Sequence, residues 1–326
     1  MESDPVLEAQ KRFAPYFEFY LNHWFKNIET TGLENLRDLP SDTSTVYVSS
    51  HKSHVDWISL GFTLHKENIK VPRFVATQRL EKTWVVGSVL KKLGAKFIDP
   101  ENRDIGYLTK LRRNLEADLL SGQDLLFFPE SGRSYSGELK EMTPYFLLLP
   151  IQLRRTKENV RVVPLAISYD SVIEDASLVR LAQENKKESR FDRLKSTLFS
   201  RILGNKGKNI YIDIGRPISV KKDDTATILA DQAYPQIERL YRITPTSLAA
   251  HALNSNLPRL DDIKETIHSL QSVEANLSTV RTMSTEEIYD AGINVLESRR
   301  AVKRINKVPD ILNYALISYY ANMLPI

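Results

Sequence analysis

The sequence contains no cysteine among its 326 residues. Disulfides, thiolate metal sites and a cysteine acyl-enzyme are therefore excluded, and the composition suits a reducing, cytoplasmic compartment. No run of about 18 apolar residues occurs, so no membrane-spanning helix is expected. The opening stretch MESDPVLEAQKRF lacks the basic and apolar regions of a secretory leader. Internal repeats and low-complexity segments are absent too, which argues against a solenoid. Net charge is only +4, and no nucleic-acid recognition motif accompanies it.

What remains is the composition of a globular chain able to bury a core. Its charge is unevenly placed. From Arg180 to Lys208 nine basic residues face three acidic ones, interleaved with Leu194, Leu198, Phe199, Ile202 and Leu203. Such a stretch suits either a solvated helix or peripheral contact with an anionic membrane surface.

Hydrophobic patterning predicts a helix over 5–28, a turn-rich passage over 30–43, and a buried strand at STVYVSS (44–50). A helix is expected from Ser53 to about Lys66, a strand at 73–78, a helix from Glu81 to Leu93, a short strand at AKFID, and a helix from Ile105 to Leu120. Further strands are expected at 124–130, 160–169 and 209–215, whereas beyond Thr225 helical signals dominate, among them the capping pattern Ser284 to Glu287. Alternation of this kind predicts an α/β fold with a central mixed, largely parallel sheet flanked by helices. The expected organisation is an N-terminal helical segment (1–35), an α/β catalytic domain (36–222) and a mostly helical C-terminal region (223–326).

In such folds sites gather where strand ends run into helices. SSHKSHVDW (49–57) occupies one such place and holds His51, His54 and Asp56. A metal cluster fits poorly, because the histidines are three apart, Trp57 follows Asp56, and the other histidines are scattered. A capping box with Ser53 as N-cap and Asp56 at the third helical position would explain Asp56 without chemistry. Alternatively Asp56 reaches back to the His51 ring, fixes its tautomer and leaves the other nitrogen free to act as a general base. Backbone N–H groups at that helix start would then be the natural oxyanion donors.

The second passage is FFPESGRSYSGEL (127–139). Gly132 permits close backbone approach or a positive φ, and Arg133 offers a planar fork suited to phosphate. Glu130 is placed either to grip a substrate hydroxyl or to hold Arg133. A serine nucleophile elbow fails, because Gly132-Arg133-Ser134-Tyr135-Ser136 lacks its final glycine.

His51-Lys52-Ser53-His54-Val55-Asp56 together with Glu130-Ser131-Gly132-Arg133-Ser134 resembles the glycerolipid acyltransferase superfamily, whose signature is His-x4-Asp followed by a Glu/Gly/Arg block. HKSHVD and ESGRSYSG are closest to the glycerol-3-phosphate acyltransferase forms. VVPLAISYD (162–170) resembles the fourth block, and ITPTSLAAHAL and LISYYANML resemble C-terminal passages of the same branch. One block departs: Phe97-Ile98 is followed by Asp99-Pro100 where the family carries two arginines, leaving Arg103 as the nearest cation. Tyr135 likewise stands where an arginine is usual.

The resemblance implies acyl transfer from acyl-CoA or acyl carrier protein to the sn-1 hydroxyl of glycerol 3-phosphate, giving lysophosphatidate. Acylation of lysophosphatidate or dihydroxyacetone phosphate by the same chemistry is the alternative. It implies His51 and Asp56 as the catalytic pair, with Glu130, Gly132, Arg133, Ser134 and Arg103 binding phosphate or glycerol, and Pro164 shaping an acyl or acceptor pocket. No metal and no cofactor are implied. The expected location is cytoplasmic and peripheral, at the inner face of a membrane touched through 180–208.

Overall fold

A computed structural model describes residues 4–81, 84–99, 101–102, 104–185, 208–255 and 259–325. Arg103 and most of the basic stretch, 186–207, lie outside the described residues. The strands of the main sheet are β1 (Asn27–Thr31), β2 (Ser44–Ser49), β3 (Arg73–Thr77), β4 (Lys96–Ile98), β5 (Leu125–Phe127), β6 (Val160–Tyr169), β7 (Asn209–Ile214) and the short β8 (Ile218–Ser219). They lie in the order β1-β7-β6-β2-β5-β3-β4, with β8 on β6. The central run β6-β2-β5-β3-β4 is parallel throughout. β7 and β8 run antiparallel to β6, and β1 is parallel to β7. The sheet is mixed and largely parallel, as the alternation predicts.

Parallel pairing requires crossovers that cover both faces, so the central strands read as continuous apolar runs. All of β2 is buried, and so is β6 apart from Arg161. Their aligned carboxyl ends, with that of β5 alongside, form one edge. Val48 pairs Phe127 on one side and Pro164 on the other.

The N-terminal helix spans Pro5–Trp24, with Asp4 accepting the Val6 N–H and Pro5 at its first position. It stops before residue 28 because Phe25 turns extended and leads into β1. The first 35 residues thus contribute an edge strand to the main sheet. Phe17 meets Trp57 edge-on at 5.9 Å, and Trp57 stacks on Phe74 at 4.2 Å. Phe17, Trp57, Ile58, Gly61, Phe74 and Leu126 line a partly open apolar cleft.

Beyond β8 the helices Ala226–Leu240, Pro245–Asn254, Arg259–Ser272, Thr285–Ser298 and Tyr314–Ala321 follow, and the capping box at Ser284 forms as expected. An antiparallel hairpin of β9 (Val302–Ile305) and β10 (Val308–Ile311) interrupts them. This region holds a small apolar cluster of its own around Ile263 and Leu270. Leu296, Leu316 and Ile317, by contrast, join the main core.

Candidate active site

β2 ends at Ser49, and the chain turns through His51–Val55 before the helix Asp56–Lys66. The helix starts later than a Ser53 cap would set it: Val55 is its N-cap and makes no side-chain cap bond. Half of the expected capping box still forms: Asp56 turns back to the Ser53 N–H, while the Ser53 hydroxyl accepts the Val55 N–H at 3.3 Å instead of that of Asp56. Asp56 Oδ2 accepts the Lys52 and Ser53 N–H groups at 2.8 and 3.0 Å and lies 2.8 Å from His51 Nδ1. Its Oδ1 accepts the hydroxyl of Tyr169, the last residue of β6. Asp56 is fully buried, so these donors take the place of water around the carboxylate. Burial and the Asp56 charge hold the Tyr169 hydroxyl well above its usual range, so it remains a donor.

The His51 ring stacks on Phe128 with centroids 4.2 Å apart, and its side chain retains 17% exposure. Among the described residues no hydrogen bond reaches Nε2. One imidazole nitrogen is therefore fixed and the other stands open, the arrangement of a general base.

The turn after β5 packs directly against this loop. Glu130 is 1% exposed; its Oε1 accepts the His51 N–H at 2.7 Å and its Oε2 the Lys140 N–H at 3.0 Å. Both oxygens thus tie backbone to backbone, a structural use distinct from gripping a hydroxyl. Gly132 adopts φ +131 and follows Ser131 at φ 52, the reversal that brings Arg133 inward. Arg133 is 8% exposed, with Nη1 3.4 Å from Glu174 Oε1. Ser134 is buried, and its Oγ accepts the Gly137 N–H at 3.0 Å, closing the turn. Pro164 is buried inside β6; its carbonyl accepts the Gly215 N–H, and its ring faces Gly215.

Sequence reasoning missed three groups. Glu174, in the segment after β6, accepts the Ser53 hydroxyl at 2.7 Å and the His54 N–H at 2.7 Å besides facing Arg133. Tyr169 anchors Asp56. Lys52 is wholly buried; its Nζ donates to the Gly137 and Glu138 carbonyls at 2.9 and 2.7 Å and stands over the Tyr241 ring. Burial pushes the Lys52 ammonium down to about 8, against the pull of Glu130, Asp56 and Glu138. The adjacency of β6 to β2 is the signal that points to the Tyr169–Glu174 segment.

The amides of this loop are all engaged: His51 with Glu130, Lys52 and Ser53 with Asp56, His54 with Glu174, Val55 with the Ser53 hydroxyl, and Asp56 with the Ser53 carbonyl. The amides from His51 to Asp56 are therefore not available as oxyanion donors. Among the described residues no group of three or more His, Asp or Glu side chains could hold a metal ion. No described helix is long and apolar enough to cross a membrane.

Residues 27–168 match the Acyltransferase family model. A glycerol-3-phosphate acyltransferase of Hamiltonella defensa subsp. Acyrthosiphon pisum is 31% identical over 61% of this chain and 25% of its own. That of Shewanella amazonensis is 29% identical over 67% of this chain and 27% of its own. For Xylella fastidiosa the corresponding figures are 28%, 67% and 25%. The chain spans about a quarter of the length of these curated relatives. The 1-acyl-sn-glycerophosphate acyltransferase PlsC from Thermotoga maritima superposes with a TM-score of 0.45 at 19% identity, covering 72% of this chain and 77% of that one. Over residues 27–168 the chain is thus similar to the Acyltransferase family model, and over about two thirds of its length to part of glycerol-3-phosphate acyltransferases.

Proposed function

We propose that this chain transfers an acyl group from acyl-CoA or acyl carrier protein directly to the sn-1 hydroxyl of glycerol 3-phosphate. The observation that carries the reading is the His51 Nδ1–Asp56 Oδ2 contact at 2.8 Å, with the opposite ring nitrogen open. The curated relatives named glycerol-3-phosphate acyltransferase support the choice of acceptor.

In this mechanism His51 Nε2 takes the hydroxyl proton as the acceptor oxygen attacks the thioester carbonyl carbon. The C–S bond then breaks, and the proton passes from the imidazolium to the departing thiolate. A positioned base of this kind contributes about 100- to 10,000-fold in rate. Asp56 keeps the proton on Nδ1 and faces the imidazolium as it forms. The surrounding buried charges, Asp56, Glu130 and Glu174 against Lys52 and Arg133, leave one excess carboxylate. A transient cation at His51 balances that excess. No cofactor has a part in this route.

Arg133 binds the acceptor phosphate. Lys140, exposed with Nζ 3.3 Å from the Gly132 carbonyl, adds a second cation at the rim of the turn, in a chain that lacks the family's usual arginine pair. Glu130, Gly132 and Ser134 act on the acceptor indirectly, by shaping this turn. The apolar cleft beside Trp57 has the lining an acyl chain requires. Contact with a membrane surface through the basic stretch belongs to the same proposal.

The test is a radiolabelled acyl-transfer assay comparing glycerol 3-phosphate, lysophosphatidate and dihydroxyacetone phosphate as acceptors. Glycerol 3-phosphate is expected to give the highest kcat/KM, with His51→Ala inactive yet folded. Preference for another acceptor corrects the substrate; near-wild-type turnover by His51→Ala removes the mechanism.

A further inference from the structure

Glu174 and Asp175 are consecutive buried carboxylates that face opposite ways. Glu174 looks toward the site, gripping Ser53 Oγ and His54 N–H on the histidine loop and facing Arg133 on the turn after β5. Asp175 looks toward the C-terminal region. Arg299, at the end of the helix Thr285–Ser298, donates from Nε to Asp175 Oδ2 at 2.7 Å and also pairs with it through Nη2. The same Nη2 donates to the Ile173 carbonyl at 3.2 Å. The guanidinium therefore brackets Glu174 by holding the residue on either side. Tyr320, on the helix Tyr314–Ala321, completes the grip: its hydroxyl donates to Asp175 at 2.5 Å and accepts the Val172 N–H at 3.2 Å.

A surface ion pair would leave a neighbouring loop free to move. Here Arg299, Asp175 and Tyr320 are all buried, so the contacts are shielded from water and hold the segment 172–175 more firmly than a surface pair would. Two elements beyond the family-matched residues thus set where Glu174 stands. Glu174 in turn sets the spacing between the loop of the base and the turn of the phosphate-binding arginine.

We propose that Arg299 is a positioning residue for the active site, acting through the Ile173–Asp175 segment on Glu174, with Tyr320 as its partner. The inference rests on the acyl-transfer reading for its kinetic consequence, though not for its structural one.

The full chain is the test object. In Arg299→Lys an ammonium can meet Asp175 but cannot span Asp175 and Ile173 as the fork does. The folded variant should lose about 10- to 100-fold in kcat/KM for acylation of glycerol 3-phosphate, as expected for small misplacements of reacting groups. Glu174→Gln cuts the same chain of contacts, so the double variant should lose no more than the worse single one. Wild-type kcat/KM in folded Arg299→Lys, or losses that multiply, overturns the proposal.

If the wild-type chain transfers no acyl group, the functional reading fails, and hydrogen exchange decides the positioning claim alone. Arg299→Lys should speed exchange in the 51–56 segment, where the His54 amide is held by Glu174, while β2 and β6 stay protected. Unchanged exchange there overturns it. Should Arg299→Lys not fold, Tyr320→Phe, which removes the hydroxyl joining Val172 to Asp175, takes its place with the same expectations.

Discussion

The Glu130 carboxylate receives the backbone N–H of His51 at 2.7 Å, so the turn after β5 fixes the main chain of the residue whose ring is paired with Asp56. Glu130→Gln replaces one acceptor oxygen with a donor and leaves either the His51 or the Lys140 amide unsatisfied. The expected cost is about 1–3 kcal/mol in urea unfolding. A fall of about tenfold or more in kcat should accompany it. A variant of unchanged stability would mean the carboxylate is not serving those amides.

Tyr169→Phe removes the hydroxyl donated to Asp56 but leaves the ring. A loss of about 1 kcal/mol in stability is expected. The kinetic effect should fall on kcat, with the acceptor KM little changed, because in the proposed mechanism Asp56 serves the base. An effect on KM alone would contradict this assignment.

Arg133→Lys keeps a cation opposite Glu174 while removing the planar fork. The acceptor KM should rise about tenfold, the equivalent of one charge-assisted hydrogen bond weakened by about 1.4 kcal/mol. Steady-state kinetics with varied glycerol 3-phosphate reads this directly; an unchanged KM assigns the phosphate to another cation.

Lys52 supplies a pH prediction. Its ammonium is pushed from 10.5 down to about 8 by burial, so the folded chain holds this proton less tightly than the unfolded chain does. Between about pH 8 and 10.5 the unfolded state binds more protons at this group, and stability from Lys52 rises with pH across that window. The stability of wild type relative to Lys52→Met should therefore increase by up to about 3 kcal/mol from the bottom to the top of the window. Chemical denaturation at a series of pH values checks it; a flat difference would show an unshifted lysine.

Gly137 adopts φ +96, and a Cβ there would lie 1.8 Å from the Tyr319 carbonyl oxygen. Gly137→Ala must therefore displace the helix Tyr314–Ala321 or the turn, at a cost of about 2 kcal/mol or more in thermal unfolding. A melting temperature equal to wild type would show that the two segments part easily.

The central strands were legible because burial on both faces forces long apolar runs, and β2 and β6 appear within a residue of their expected limits. β1 was not, because NIETT lies at the sheet margin with an exposed face and carries no apolar run. The β9–β10 hairpin escaped for a related reason: its strands are short, and Asn306 and Lys307 take positive φ without the glycine that marks such turns. At the site, His51 and Asp56 stood out only in combination with the Glu130–Ser134 block, since a histidine five residues before an aspartate is common by chance, and the fate of the carboxylate was not legible at all. A capping box and a reversed aspartate share the same residues, and Tyr169, distant in sequence, stands on the reversed side. Glu174 carries no motif at all. Its importance comes from the strand order, which places the end of β6 beside the end of β2.

That strand order also bears on how the gene could be cut. A fragment stopping at residue 168, where the family match ends, would keep β1 yet discard β7, its pairing partner. Such a fragment would carry an orphaned ribbon on one side and the bare flank of β6 on the other, an open template for self-association. Shorter expression clones should accordingly run at least through residue 219, so that both flanks leave the ribosome with their mates.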